Sequence, residues 1–177
     1  RERVLEMRQR IYGEEHPEVA KSLAHIATAH QSKGDLEKAL EYRERCLEME
    51  QRIYGEEHPE VASSLAAIAD VHQSKGDLEK ALEYRERVLA MRQRIYGEEH
   101  PDVAKSLWCV AHVRQAQGDL DGALSTGHEA LARYSAIYGE SHPVCASTLG
   151  WIAGVHQSKG DLEKALEYRE RCLEMEQ

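Results

Sequence analysis

The sequence predicts an all-α fold, an α-solenoid of stacked antiparallel helix pairs, on three observations. The chain of 177 residues repeats with a period of 42: Ile11, Ile53, Ile95 and Ile137 fall at that spacing, as do Gly34, Gly76, Gly118 and Gly160. Within each unit apolar residues recur at steps of three and four, the spacing of one helical face, and strand-like alternation is absent. Each unit holds two such stretches joined at a glycine, and one helix pair cannot bury both its faces, so neighbours must stack to complete a core.

The elements follow in order. Residues 1–15, opening with RERVLEMRQR, match the sequence from Arg43 and read as the partial second helix of a preceding repeat. Repeat 1 spans 16–57, repeat 2 spans 58–99, a divergent repeat 3 spans 100–141, and repeat 4 spans 142–177, truncated at its end. In repeat 1 the first helix covers about residues 17–32, with Val19, Leu23, Ile26, Ala27 and His30 along one face. Pro17 suits the first turn, where its missing N–H would have had no partner, and Glu18 faces the positive end of the helix dipole. Gly34 supplies the left-handed turn that stops the helix.

The second helix covers about residues 35–53, with Asp35 as expected N-cap and Leu36, Ala39, Leu40, Cys46, Leu47 and Ile53 along one stripe. Its other face sets Glu41 before Arg45 and Glu48 before Arg52, the favourable i,i+4 order. Gln177 matches Gln51 and Gln9, so the sequence starts and stops inside second helices. It reads as a segment of a longer array, with apolar surface expected at both ends.

Composition narrows the function classes. With 41% hydrophobic residues the chain is expected to fold, and its net charge of −9, from 32 acidic against 23 basic residues, opposes nucleic acid and anionic membranes as partners. No apolar run approaches the roughly 20 residues that span a bilayer. The cysteines at 46, 109, 145 and 172 form no CxxC pair, which fits a reduced, intracellular and cytoplasmic setting better than a disulfide framework. Cys46, Cys145 and Cys172 occupy positions of Val or Ala in other repeats and read as small core residues.

The segment Leu23-x2-Ile26-Ala27-x2-His30, followed by Gly34 and Ala39, resembles the tetratricopeptide repeat pattern of large, large, small, aromatic and then alanine. The 42-residue unit and the YGEEHPEVA junction are similar to the long units of kinesin light chains. The family's aromatic in the first helix is His30, His72, Arg114 and His156 here; its aromatic in the second helix is Arg43, Arg85, Gly127 and Arg169. The resemblance implies a right-handed superhelix and a non-catalytic scaffold that holds a peptide or protein on a concave face lined by first helices.

On that face the candidate partner-binding residues are Lys21, Thr28, Gln31, Asp70, Gln73, Lys105, Trp108, His112, Gln115, Trp151 and Gln157. The positions matching a chaperone-tail clamp include Ala24, Thr28, Ala67, Lys105 and Cys109, with one cation among them, so that ligand is not expected. The paired asparagines of cargo-binding kinesin light chains are replaced by Ala24-His25, Ala66-Ala67, Trp108-Cys109 and Gly150-Trp151.

Repeat 3 is the divergent one, introducing Trp108, Cys109, His112, Gly122, Gly127 and His128. Two tryptophans near one groove have the character of an aromatic anchor; each filling local packing is the alternative. Glycines cost about 1 kcal/mol each inside a helix, which marks residues 119–137 as a point of local opening. Cys109 and His112 share a helical face at a zinc-ligand spacing but lack a third ligand, and no metal or other cofactor is expected. HExxH, GxSxG and phosphate-binding glycine loops are absent, so no catalytic residue is assigned.

The histidines at 16, 58, 100 and 142 recur one repeat apart, too far to share a metal. Each is expected to set a polar ring beside unpaired N–H groups at a helix start. Two functions remain open besides the scaffold: a structural spacer or self-associating rod stacking end to end, and the sensor arm of a larger signalling protein.

Overall fold

A computed structural model describes residues 2–175 and contains, among them, nine α-helices and no strand. Arg1, Glu176 and Gln177, which belong to the first and last expected segments, lie outside the described residues. The helices are α1 Glu2–Tyr12, α2 Pro17–Ser32, α3 Leu36–Tyr54, α4 Pro59–Lys75, α5 Leu78–Tyr96, α6 Pro101–Ala116, α7 Leu120–Tyr138, α8 Pro143–Lys159 and α9 Leu162–Met175. Eight glycines from Gly13 to Gly160, set 21 residues apart, carry the positive φ values among the described residues, so every inter-helix turn contains one. Gly76, at φ 78°, is the left-handed C-cap of α4, a conformation that costs a side-chain-bearing residue about 1–2 kcal/mol.

The even-numbered helices start in one way. Nδ1 of His16, His58, His100 and His142 accepts the backbone N–H of Glu18, Glu60, Asp102 and Val144, each at 3.2 Å. An accepting Nδ1 requires the tautomer with its proton on Nε2. Each ring also stacks on the tyrosine that ends the helix before it, from Tyr12–His16 at 4.6 Å between centroids to Tyr96–His100 at 4.2 Å. The expected polar ring at each helix start is therefore an N-cap, a feature that contributes about 1 kcal/mol.

The chain divides into two compact units, residues 1–91 and 92–177. In the first, α3 packs against α2 and α4 around fully buried Val19, Leu23, Ala39, Cys46, Val61, Leu65 and Ile68. Each large aliphatic buried here contributes about 1.5–3 kcal/mol. In the second, α7 packs against α6 and α8, and Ala123, Leu124, Ile152 and Val155 form one cluster flanked by Leu120, Leu131, Trp151 and Tyr168.

Several sequence expectations change. The stripe on α3 includes Met49 and Glu50, both buried. Arg52 pairs with Glu15 at 3.3 Å rather than with Glu48, whereas Arg45 meets Glu41 at 4.0 Å. Asp35 is the N-cap of α3 but makes no side-chain cap bond; its carboxylate faces His30 Nδ1 at 3.1 Å instead. The aromatic partner of His30 is Tyr42, one residue before the arginine aligned with that slot, and the stack recurs as His72–Tyr84 and His156–Tyr168. Cys46 and Cys145 are core residues as expected, but Cys172 is only half-buried. Burial pushes the Cys46 thiol up to about 12, so it is protonated and unreactive at neutral pH. The large exposed apolar side chains are Val4, Met7, Ile11 and Tyr12 on α1, Leu162, Leu166 and Leu173 on α9, and Tyr138, so the first and last helices carry most of the open apolar surface.

Candidate interaction face

The candidate residues line α2 and α4 in the first unit and α6 and α8 in the second, and none is fully buried. In the first unit most are already engaged. Lys21 Nζ donates to Glu18 at 2.8 Å, Thr28 Oγ1 accepts from Arg43 at 2.9 Å, and Asp70 pairs with Arg85. Gln31 and Gln73 stand half-buried and exposed on the same faces. The two arginines reach these residues from α3 and α5, so Thr28 and Asp70 are each tied to the neighbouring helix.

The second unit differs at its centre. Trp108 packs edge to face on Trp151 at 4.8 Å and 65°, and on His112 at 4.4 Å and 75°; His112 and Trp151 lie 5.0 Å apart. Edge-to-face pairs of this kind contribute about 0.5–1.5 kcal/mol beyond area burial. Trp151 Nε1 donates to Gln115 Oε1 at 2.8 Å, which joins α8 to α6. Burial holds the His112 imidazole below its ordinary pKa, so the ring is neutral at pH 7. The cluster thus offers uncharged, partly exposed aromatic surface, with exposed Lys105 one turn away on α6. Beside it, Gly150 and Gly154 on α8 would give added Cβ atoms nothing within 4 Å, so the helix backbone is open to close approach.

Trp151 occupies the position of His25, Ala67 and Cys109 in other repeats, and its reach back to α6 is not visible from helical spacing. Gly127 explains it. Where Arg43, Arg85 and Arg169 cross to Thr28, Asp70 and Gln157, repeat 3 has no side chain, and a Cβ added at Gly127 would run into Trp151 Cζ3. The co-occurrence of the one glycine in that arginine column with a tryptophan in the next helix was the available signal. Gly122, by contrast, lies in the first turn of α7 with its N–H bonded to Asp119 Oδ1 at 2.9 Å. Only Gly127 of the two sits in the helix interior.

Behind the cluster, Tyr168 Oη lies 3.4 Å from His128 Nε2, and burial lowers the pKa of His128. Cys109 is half-buried near His112, and among the described residues no group of three or more His, Cys, Asp or Glu is placed to hold a metal ion. Among the described residues no helix is long and apolar enough to cross a membrane.

The tetratricopeptide repeat profile matches residues 1–49, 22–93, 63–108 and 102–177, together the whole sequence. No curated protein matches. Among solved structures, a candidate kinesin light chain of Podosopora anserina with nearly identical TPR-like repeats superposes at TM-score 0.84 with 24% identity, over 99% of this chain and 83% of that one. BtubC from P. vanneervenii superposes at 0.76 with 22% identity, over 89% of this chain and 63% of its own. The apo form of RapI superposes at 0.78 with 16% identity; this chain spans 46% of its length, under half of that protein. At these identities the likeness shows the fold, an all-α repeat solenoid.

Proposed function

The chain belongs to the tetratricopeptide repeat family, whose fold supports protein–protein scaffolding in general, and we propose that it is a non-catalytic scaffold binding a peptide or protein through the second unit. The observation that carries this reading is the partly exposed Trp108–His112–Trp151 cluster beside the open backbone of Gly150 and Gly154. An extended ligand can run close over the glycines while one of its apolar side chains packs on Trp108, with Lys105 and Gln157 as polar flanks. Aromatic anchors at the centre of a contact dominate binding energy. The chain reads as four repeats, at 16–57, 58–99, 100–141 and 142–177, after a partial helix at 1–15.

The test is capture of binding proteins from cell extract by the immobilised chain and by its Trp108→Ala variant, with helicity checked by circular dichroism. Loss of at least about tenfold in capture is expected, matching a hot-spot deletion of roughly 1.4 kcal/mol or more. Undiminished capture by a folded variant rejects the patch.

A further inference from the structure

Each joint between an odd-numbered helix and the even-numbered one that follows it sets one position of the first against two of the second. The repeat period aligns Arg8, Glu50, Arg92 and Tyr134 on the odd-numbered helices. Opposite them stand Glu18, Glu60, Asp102 and Val144, and one turn further on Ser22, Ser64, Ser106 and Thr148.

Where the first position is arginine, its guanidinium serves the acceptors of the receiving turn. Arg8 Nη1 donates to Glu18 O at 3.0 Å and to Ser22 Oγ at 2.9 Å, and its Nη2 lies 3.2 Å from the Glu18 carboxylate. Arg92 Nη1 repeats the first two bonds with Asp102 O at 3.5 Å and Ser106 Oγ at 3.0 Å, and Arg92 remains partly exposed, so the joint is reached from solvent. At the joint of α7 and α8 the arginine and the acid are lost together, as Tyr134 and Val144. The joint of α3 and α4 breaks this balance. It keeps Glu60 and Ser64 and puts a second acid, Glu50, in the arginine's place.

Glu50 is 8% exposed, and its Oε2 has no hydrogen-bond partner. The cations whose charge reaches this joint are bound elsewhere: Arg43 donates to Thr28 at 2.9 Å, and Lys21 pairs with Glu18 at 2.8 Å. Glu60 is exposed, which leaves that side of the joint open. Two carboxylates and a hydroxyl are thus gathered where the aligned joints hold a guanidinium.

We propose that this joint receives a guanidinium from outside the chain, the side chain of an arginine on a bound peptide or protein, seated between Glu50 and Glu60 as Arg8 is seated on Glu18 and Ser22. The chain itself shows which cation fits. A planar fork of donors reaches a carboxylate, a carbonyl and a hydroxyl together, whereas the ammonium of lysine is a point charge. An unpartnered buried acid is costly, and a charge-assisted pair with the incoming arginine offsets that cost. The site lies on α3 and α4 of the first unit and shares no residue with the aromatic cluster of the second, so its test and the Trp108 test fail independently.

The experiment is an NMR titration of the full chain with N-acetyl-arginine amide, following the backbone amides of Glu50, Glu60 and Ser64, with N-acetyl-lysine amide in parallel. Saturable shifts are expected with the arginine compound, at an affinity at least about fivefold above that for the lysine compound. Glu50→Gln keeps the size and removes the charge, and should weaken binding about tenfold. Glu50→Arg restores the residue found at 8 and 92, so it is expected to fold, and it should abolish binding by filling the site from within. Equal binding by the native chain and Glu50→Arg overturns the proposal. So does equal affinity for the two compounds, or a native chain that shows no saturable shift.

Discussion

Glu50 stands where Arg8 and Arg92 stand in other repeats, and the replacement leaves a carboxyl group in a joint built for a donor. Arg8 donates to Glu18 O at 3.0 Å and Ser22 Oγ at 2.9 Å, and Arg92 donates to Ser106 Oγ at 3.0 Å. Glu50 is 8% exposed, lies 3.5 Å from the Cys46 thiol, and its Oε2 has no hydrogen-bond partner. Burial pushes its pKa above the ordinary 4.5; hydrogen bonds from Ser64 and Cys46 and the charge of Arg43 oppose this, while Glu60 reinforces it. Because the folded form holds the proton more tightly than the unfolded form, Glu50's contribution is fully present below about pH 4.5 and is lost as pH rises through its raised folded value. Glu50→Gln removes that loss. Urea unfolding should show the variant level with the native chain in acid and about 1 kcal/mol more stable at pH 7, while an equal difference at both pH values would contradict the assignment.

Helix α7 shows how a rule that holds for a helix in isolation reverses in context. A glycine-to-alanine change in a helix interior ordinarily gains about 1 kcal/mol. At Gly127 the new methyl would meet the ring of Trp151, and neither the rigid indole nor the helix can yield cheaply. Gly127→Ala should therefore destabilise by about 1–3 kcal/mol in equilibrium unfolding. Trp151→Ala vacates the space, so the double variant should lose clearly less than the sum of the two single losses. Strict additivity would mean that the indole does not rest on Gly127. The sequence marks α7 as a weak element by its glycines; the packing makes Gly127 the seat of the neighbouring helix.

At the scale of the whole molecule, a ligand that binds only the folded chain stabilises it by mass action. The thermal midpoint should rise with added N-acetyl-arginine amide in the native chain and lose that dependence in Glu50→Arg. A midpoint that rises equally in both would count against the site between α3 and α4. Much of the molecule was legible in the sequence. The 42-residue period, the helix pairs, the proline-led starts and the glycine stops are local or periodic properties, set by which residues can begin, line and end a helix. The partly solvent-facing side of the even-numbered helices was legible too, because a 3.6-residue turn assigns faces without reference to neighbours. What only the tertiary structure decided lies between helices: the indole of Trp151 bridging Gly127 and Gln115, Tyr42 instead of Arg43 as the ring that meets His30, and the burial of Glu50. Periodicity fixes the direction in which a side chain leaves its helix, but what it meets depends on the shape of the facing helix, and that exists only once the two have packed.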